Sequence, residues 1–490
     1  MKKSIVLILI VAFLLCACQP TPQHEVVVNK GDDLFEIKLE SAKEKNSEST
    51  PVILFPEDTV SLIPNESDCE TPSPQSSSES DLDKTTSQIQ VLVEPHWTDE
   101  VALRNFSFTI DVDIEAPITG SFPVYSIAAS EFYNNDQRVN AVLDVLIQNV
   151  IGVRSGGITK EEYENEMRNY LRGYYDDETK TYIEPTESER DQQMQEFLKA
   201  IENAPDANAF SPTSNRDAFS IPASTAYQTK SGEIWDVQID AQQLTIKKLP
   251  RGVLQPERWV TAGTATPDEP KGTTLQNVAI TQDEAEEIVA SFFESTQLGD
   301  FAISSIEKAR IIDAYSFETY SEGWSIECAR VCGQCYPFAY RRYRNGNSLR
   351  FTDEAYAAEL PLETLTLFVD ESGIRQLTWS NPLHVIEKLT DNIELIPFED
   401  MKSLIRQTLR SSLSWAGDKE SGSSLGNGRV TRIILSSCYI PQKNSPGKFY
   451  LTPAWFILAG FDHSLENGVQ PQAFAINAVD GTRIELNSRS

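Results

Sequence analysis

The chain has 490 residues, 40% of them hydrophobic, which is enough apolar material for packed domains and too long for one core. Its 73 acidic residues outnumber 42 basic ones, for a formal charge of −31. A surface this acidic repels nucleic acid and anionic lipid headgroups and favours solubility, and no HExxH, Cys–His pairing or GxGxxG points to zinc-protease, thiol-protease or dinucleotide chemistry.

The first residues read as a secretory signal. Lys2 and Lys3 precede an uncharged apolar run, Ile5 to Leu15, and then Leu15-Cys16-Ala17-Cys18. A basic start, an apolar core and small residues before a cut site define such a segment. The run is shorter than the ~20 residues a spanning helix needs. Leu15 to Cys18 resembles the bacterial lipobox. That resemblance implies cleavage after Ala17, so that 1–17 is a lipoprotein signal peptide, and diacylglycerol on the Cys18 sulfur, with acyl chains of the palmitate type. The expected location is the extracellular face of the cell membrane, held by lipid.

Residues 18–88 are expected to be a polar tether and linker. From Asn65 to Gln88 they are Ser, Pro, Thr and acid, with Cys69 among them, and cannot bury enough surface to offset ordering. An α+β domain is expected over 89–265. Phe106, Phe108, Ile110, Val112 and Ile114 alternate with polar residues, the half-buried strand pattern. A helix follows between Tyr125 and Val150, with Val139, Val142, Leu143, Leu146 and Ile147 on one face. Two charged helices are expected over 159–175 and 186–203, and strands over Ile234–Val237, Leu244–Lys247 and Trp259–Thr261.

Two later segments, 278–390 and 391–490, follow one plan, a helix and then three strands. The first helix opens with a Thr281–Glu284 capping box and carries Ala285, Ile288, Val289, Phe292 and Phe293 on one stripe. The second follows Pro397 with Phe398, Met401, Leu404, Ile405 and Leu409. Ala309–Ile312 matches Thr431–Ile434, and Gly323–Ile326 matches Ala454–Ile457. Leu365–Ile374 matches Phe474–Ile484, each with Asp and Gly at a hairpin turn.

These units, with a Trp in the middle strand and a final hairpin, resemble the PepSY module. The chain as a whole resembles uncharacterised lipoproteins of Gram-positive, Clostridia-type anaerobes, through Ala17–Asp32 and through Leu377–Pro382 followed by Leu395–Phe398. The resemblance implies an α+β fold, with an N-terminal α+β domain followed by two tandem PepSY-like antiparallel units. It implies a non-catalytic role, in peptidase inhibition or on the outside of sensory systems such as those of the YycH and YycI regulators. Unlike those regulators, this chain carries a lipid anchor and not a helix, which weakens any carry-over of their partner.

Chemistry is sparse. Cys328, Cys332, Cys335 and Cys438 are candidates for a disulfide or metal site. Cys332-Gly-Gln-Cys335 could form a tight turn with facing thiols, and a Cys328–Cys438 bridge would tie the two units together. Asp111 and Asp113 share a strand face as a candidate cation or acid–base pair, with a solvated face the plainer reading. Gly422-Ser-Ser-Leu-Gly426 matches a serine-hydrolase elbow as a string, but lacks a preceding strand and following helix. The expectation is a membrane-anchored binding or regulatory protein with no cofactor, no catalytic residue and an envelope protein as partner. The alternatives are an envelope hydrolase or metal-dependent enzyme, and a solute-binding lipoprotein.

Overall fold

The computed structural model describes residues 34–48, 89–90 and 94–484, apart from 104–105, 118, 156–157, 177–180, 207–208, 214–220, 250–256, 262–277, 297, 314–318, 339–347, 352–357, 414–426, 444 and 468. In chain order the principal elements begin with α1 (Leu34–Glu48), β1 (His96–Ala102), β2 (Ser107–Glu115), β3 (Val124–Ala129), α2 (Gln137–Leu146), β4 (Val150–Ser155), α3 (Lys160–Arg172) and α4 (Glu187–Asn203). Next come β5 (Ala223–Thr229), β6 (Ile234–Ile239), β7 (Gln243–Lys248), β8 (Glu257–Thr261), α5 (Gln282–Thr296), β9 (Phe301–Asp313) and β10 (Thr319–Arg330). The last are β11 (Thr364–Asp370), β12 (Gly373–Ser380), β13 (Leu383–Thr390), α6 (Phe398–Leu413), β14 (Gly428–Pro441), β15 (Lys448–Phe461), α7 (Asp462–Glu466) and β16 (Gln472–Asn477).

The architecture is mixed α+β, dominated by two sheets. The first runs β8–β9–β10–β11–β12–β7–β6–β5–β4 and ends on the short strand 211–212, every neighbour antiparallel. The second runs β1–β2–β14–β15–β16 and then 483–484, with β2 and β14 parallel. In this sheet β3 pairs with both the start of β15 and with β13.

Side-chain period explains which faces are covered. In β2, Phe108, Ile110, Val112 and Ile114 are buried and the residues between them are exposed, as in a sheet with one wet face. By contrast β15 is buried continuously from Phe449 to Ala459, so both its faces are packed. Phe398 of α6 lies against Trp455, with ring centres 4.8 Å apart, on one face. On the other, Phe338 stacks on Phe456 at 4.4 Å and Phe35 of α1 meets Tyr450 at 5.1 Å. The first sheet is covered by the Val139–Val142–Leu143 face of α2 and by Ala285, Val289, Phe292 and Phe293 of α5. The capping box before α5 is present: the Thr281 N–H donates to Glu284 at 2.8 Å and the Glu284 N–H donates to Thr281 at 3.2 Å.

Four expectations need correction. The strands of 89–265 do not close on themselves. β1 to β3 lie in the second sheet beside β14 and β15, while β5 to β7 lie in the first beside β12. β13, expected with the 278–390 unit, pairs with β3 in the second sheet. An alternating pattern says a strand is half buried and does not say which partner it takes. The 18–88 stretch holds a helix, α1, whose Phe35, Leu39 and Ala42 are buried in the second core. Tyr450 Oη donates to the Glu36 carboxylate at 3.1 Å, and Lys38 Nζ donates to the Val479 carbonyl at 2.8 Å. Its stripe is three residues in a charged context, too short to stand out by period. Finally, Trp324 pairs with Lys308 but Trp455 pairs with Leu435. Aligning the tryptophans therefore matches Ala309–Ile312 to Ser436–Tyr439, not to Thr431–Ile434.

The two sheets meet at Glu363, whose side chain is 1% exposed. Arg330 donates to it through Nε at 2.8 Å and Nη2 at 3.0 Å, Trp379 Nε1 at 3.1 Å, and the Leu383 N–H, at the start of β13, at 3.0 Å.

Candidate functional site

Cys18, Cys69 and Gly422–Gly426 lie outside the described residues. The four later cysteines are buried and none is in a disulfide among the described residues. Cys328 belongs to the core of the first sheet, whereas Cys332, Cys335 and Cys438 belong to that of the second, so the Cys328–Cys438 bridge is not made. Cys332 to Cys335 do form a turn, with the Cys335 N–H donating to the Cys332 carbonyl at 3.2 Å. Gly333 sits in it at φ +59°, where a Cβ would lie 2.3 Å from the Ser121 carbonyl oxygen, so only glycine fits. The turn is clamped: the Cys332 thiol donates to the Pro123 carbonyl, and its N–H donates to Ser437 Oγ at 2.7 Å. Burial pushes Cys332 well above the usual thiol range and Cys335 up to about 12. Such thiols are poor nucleophiles. Among the described residues no three His, Cys, Asp or Glu side chains gather as a metal site.

Asp111 and Asp113 do share a face of β2, exposed, and a histidine joins them. His96 of β1 bonds Asp113 through Nδ1 at 2.8 Å and Asp111 through Nε2 at 2.9 Å. Hydrogen bonds to Asp113 and Asp111 raise the imidazole above its ordinary value. The register that sets His96 opposite Asp113 comes from the β1–β2 pairing. The arrangement is a surface triad with net negative charge, in which both imidazole nitrogens are committed.

A polar cleft of about 550 Å³ lies at the β11–β12 turn. It is walled by Lys248 at the end of β7 and Leu249 after it, by Thr319–Glu322 at the start of β10, by Asp370–Ser372 and by Arg375. Gly323 lets β10 and β11 approach there: a Cβ would lie 2.2 Å from the Val369 carbonyl oxygen. Asp370 is 4% exposed. Its Oδ1 accepts from the Ser372 N–H at 2.8 Å and hydroxyl at 2.6 Å, and its Oδ2 from the Ser321 hydroxyl at 2.6 Å. Burial works to raise this carboxyl, but the Ser321 and Ser372 hydrogen bonds and the Arg375 charge outweigh it, leaving it below its usual range. Asp370 is thus a locked anion.

Arg375 is the unusual member. Its side chain is 11% exposed, and Nη1 reaches Asp370 only at 3.4 Å. Its Nε and Nη2 are buried and have no hydrogen-bond partner among the described residues. Lys248 is engaged with Glu233 at 2.6 Å. Neither Arg375 nor Ser321 stands out in the sequence, where a lone Arg on a strand reads as solvent-facing; Arg375 has the one signal of following the Asp370–Gly373 turn, and Ser321, 49 residues from Asp370, has none.

The Asp-x-(Ser/Thr) turn occurs again at Asp480. Its Oδ1 accepts from the Thr482 N–H at 2.8 Å and hydroxyl at 2.7 Å. There burial prevails and the carboxyl is raised, Lys38 of α1 being the cation nearby.

Comparison with protein-family models and with curated proteins finds no match. Among solved structures, a crystal structure of an uncharacterized protein from Eubacterium rectale is similar over 80% of this chain and 96% of that one, at 12% identity and a TM-score of 0.43.

Proposed function

We propose that this chain is an extracytoplasmic lipoprotein, anchored by acyl groups on Cys18, that binds a small polar ligand or partner segment in the Asp370–Arg375 cleft and does no bond-making chemistry. The observation that carries the reading is the state of the cleft's charged groups. Asp370 is saturated by hydroxyls and held ionised, which suits it to brace a site and not to shuttle protons. The guanidinium beside it has two donors with no partner among the described residues.

The finer reading of the C-terminal half is a tandem of PepSY-like units. In its favour, α5 leads into an antiparallel meander β9 to β12, and α6 into β14, β15, β16 and 483–484. Both meanders end on a hairpin whose Asp bonds the Ser or Thr two residues on. In this reading the first unit carries the cleft and the second carries the α1 contact.

The test of anchoring is membrane fractionation of cells producing the full chain, with mass spectrometry of its N-terminal peptide. The wild type should sediment with membranes and begin at a diacylated Cys18. The Cys18→Ala variant should leave the membrane fraction. A product that begins at Met1, or that carries no acyl group, overturns the anchored reading.

A further inference from the structure

Three arginines of this protein show how it uses a guanidinium. Arg330 grips Glu363 through Nε and Nη2 at 2.8 and 3.0 Å. Arg138 grips Asp136 through the same two atoms at 3.1 and 2.7 Å. Arg432 does so with Glu115, at 2.5 Å on both arms. That edge presents two parallel N–H groups at the spacing of a carboxylate's oxygens. On Arg375 the same two donors are buried and have no hydrogen-bond partner among the described residues.

We propose that the Nε/Nη2 edge of Arg375 receives the carboxylate of a zwitterionic ligand, a free amino acid or short peptide, bound in the cleft. The proposal deepens the binding-protein reading and rests on it. A guanidinium buried with unpaired N–H groups is unfavourable until an acceptor arrives. Asp370 is not that acceptor, since hydroxyls and a backbone N–H already fill it and the Arg375 contact is a long 3.4 Å. Among the described residues this is the one polar tie that Arg375 makes, so the fork can turn toward a ligand at the expense of a single weak bond. The rest of the wall decides the ligand's other charge. Glu322 and Glu371 line the cleft with no ion pair among the described residues. They disfavour a simple anion and favour one that also carries an ammonium. The volume of about 550 Å³ admits an amino acid or a few residues of peptide.

The test is calorimetric titration of the full chain with trialanine, L-alanine, N-acetyl-trialanine, trialanine amide and inorganic phosphate. Trialanine or L-alanine should bind, and which of them binds tighter separates peptide from amino acid. Amidation should abolish binding, and N-acetylation should weaken it by about tenfold or more, the scale of one lost ion pair in a partly dry site. Arg375→Lys keeps the charge but loses the fork, and should also weaken binding about tenfold. Should that variant misfold, Glu371→Gln at an exposed position should weaken trialanine and leave N-acetyl-trialanine unaffected. Equal binding of the amide, phosphate binding better than either zwitterion, or no binding of either zwitterion at about 10 mM overturns the proposal. None of these outcomes bears on the acyl group at Cys18, so the anchored reading fails or survives separately.

Discussion

Asp236 of β6 is 2% exposed and hydrogen-bonded by Gln238 at 2.9 Å. Burial raises its carboxyl to about 6, against the opposing Lys247 charge and Gln238 bond, with Glu162 adding to the rise and Arg154 opposing it. An unfolded Asp titrates near 3.9. The folded chain therefore holds this proton to higher pH than the unfolded chain. Stability from this group is complete below about pH 4 and is lost as pH rises to about 6. Two pK units correspond to about 3 kcal/mol. Asp236→Asn should thus be more stable than wild type above pH ~7 by up to about 3 kcal/mol, with a flatter profile between pH ~4 and ~6. Urea unfolding across that range checks it, and parallel profiles for the two proteins would sink it. Asp370 has the opposite sign: its lowered carboxyl adds stability above the unfolded value and loses it only in stronger acid. The sequence places one in a strand and one in a hairpin turn, but not their protonation, which follows from depth of burial and from neighbours both local (Gln238, Ser372) and distant (Ser321).

At the scale of elements, most helices were legible and the strand partners were not. The Thr281–Glu284 box and the stripes of α5 and α6 are local patterns, and the structure follows them. Strand existence was also legible, from alternation in β2 and from the apolar runs of β14 and β15. Pairing depends on residues hundreds of positions apart, such as Ile110 beside Val430. Close approach of strands yields a sharp prediction at Gly323. Gly323→Ala places a methyl 2.2 Å from the Val369 carbonyl, so β10 and β11 must part. The expected cost is about 2–4 kcal/mol, measurable as a lower urea midpoint with an unchanged slope. For α1, Leu39 is 1% exposed, yet few other apolar residues hold the helix. Leu39→Ala should undock α1 while the sheets persist. Hydrogen exchange would then show α1 amides losing protection and those of β15 keeping it. Protection unchanged in α1 would mean that Phe35, Lys38 and Glu36 suffice to hold it.

For the whole molecule, Glu363 joins β10, β12 and β13 and so both sheets. Glu363→Gln leaves the Arg330 guanidinium, 7% exposed, without its main counter-charge. Removing one partner of a buried pair costs about 3–5 kcal/mol. Fluorescence and far-ultraviolet dichroism should report one shared, lowered unfolding transition, because the pair serves both layers. A change below about 1 kcal/mol would show that the Asp300 contact of Arg330 compensates. The sequence by itself determined the acidic surface, the mixed α+β character, most helices and many strands, since these depend on composition and on periods of a few residues. Only the tertiary structure decided which strands share a sheet, that α1 is part of the body, that the cysteines divide between two cores, and that Arg375 lies buried with two donors unpartnered among the described residues. Each of those depends on desolvation and contact between segments distant along the chain, which no local pattern encodes.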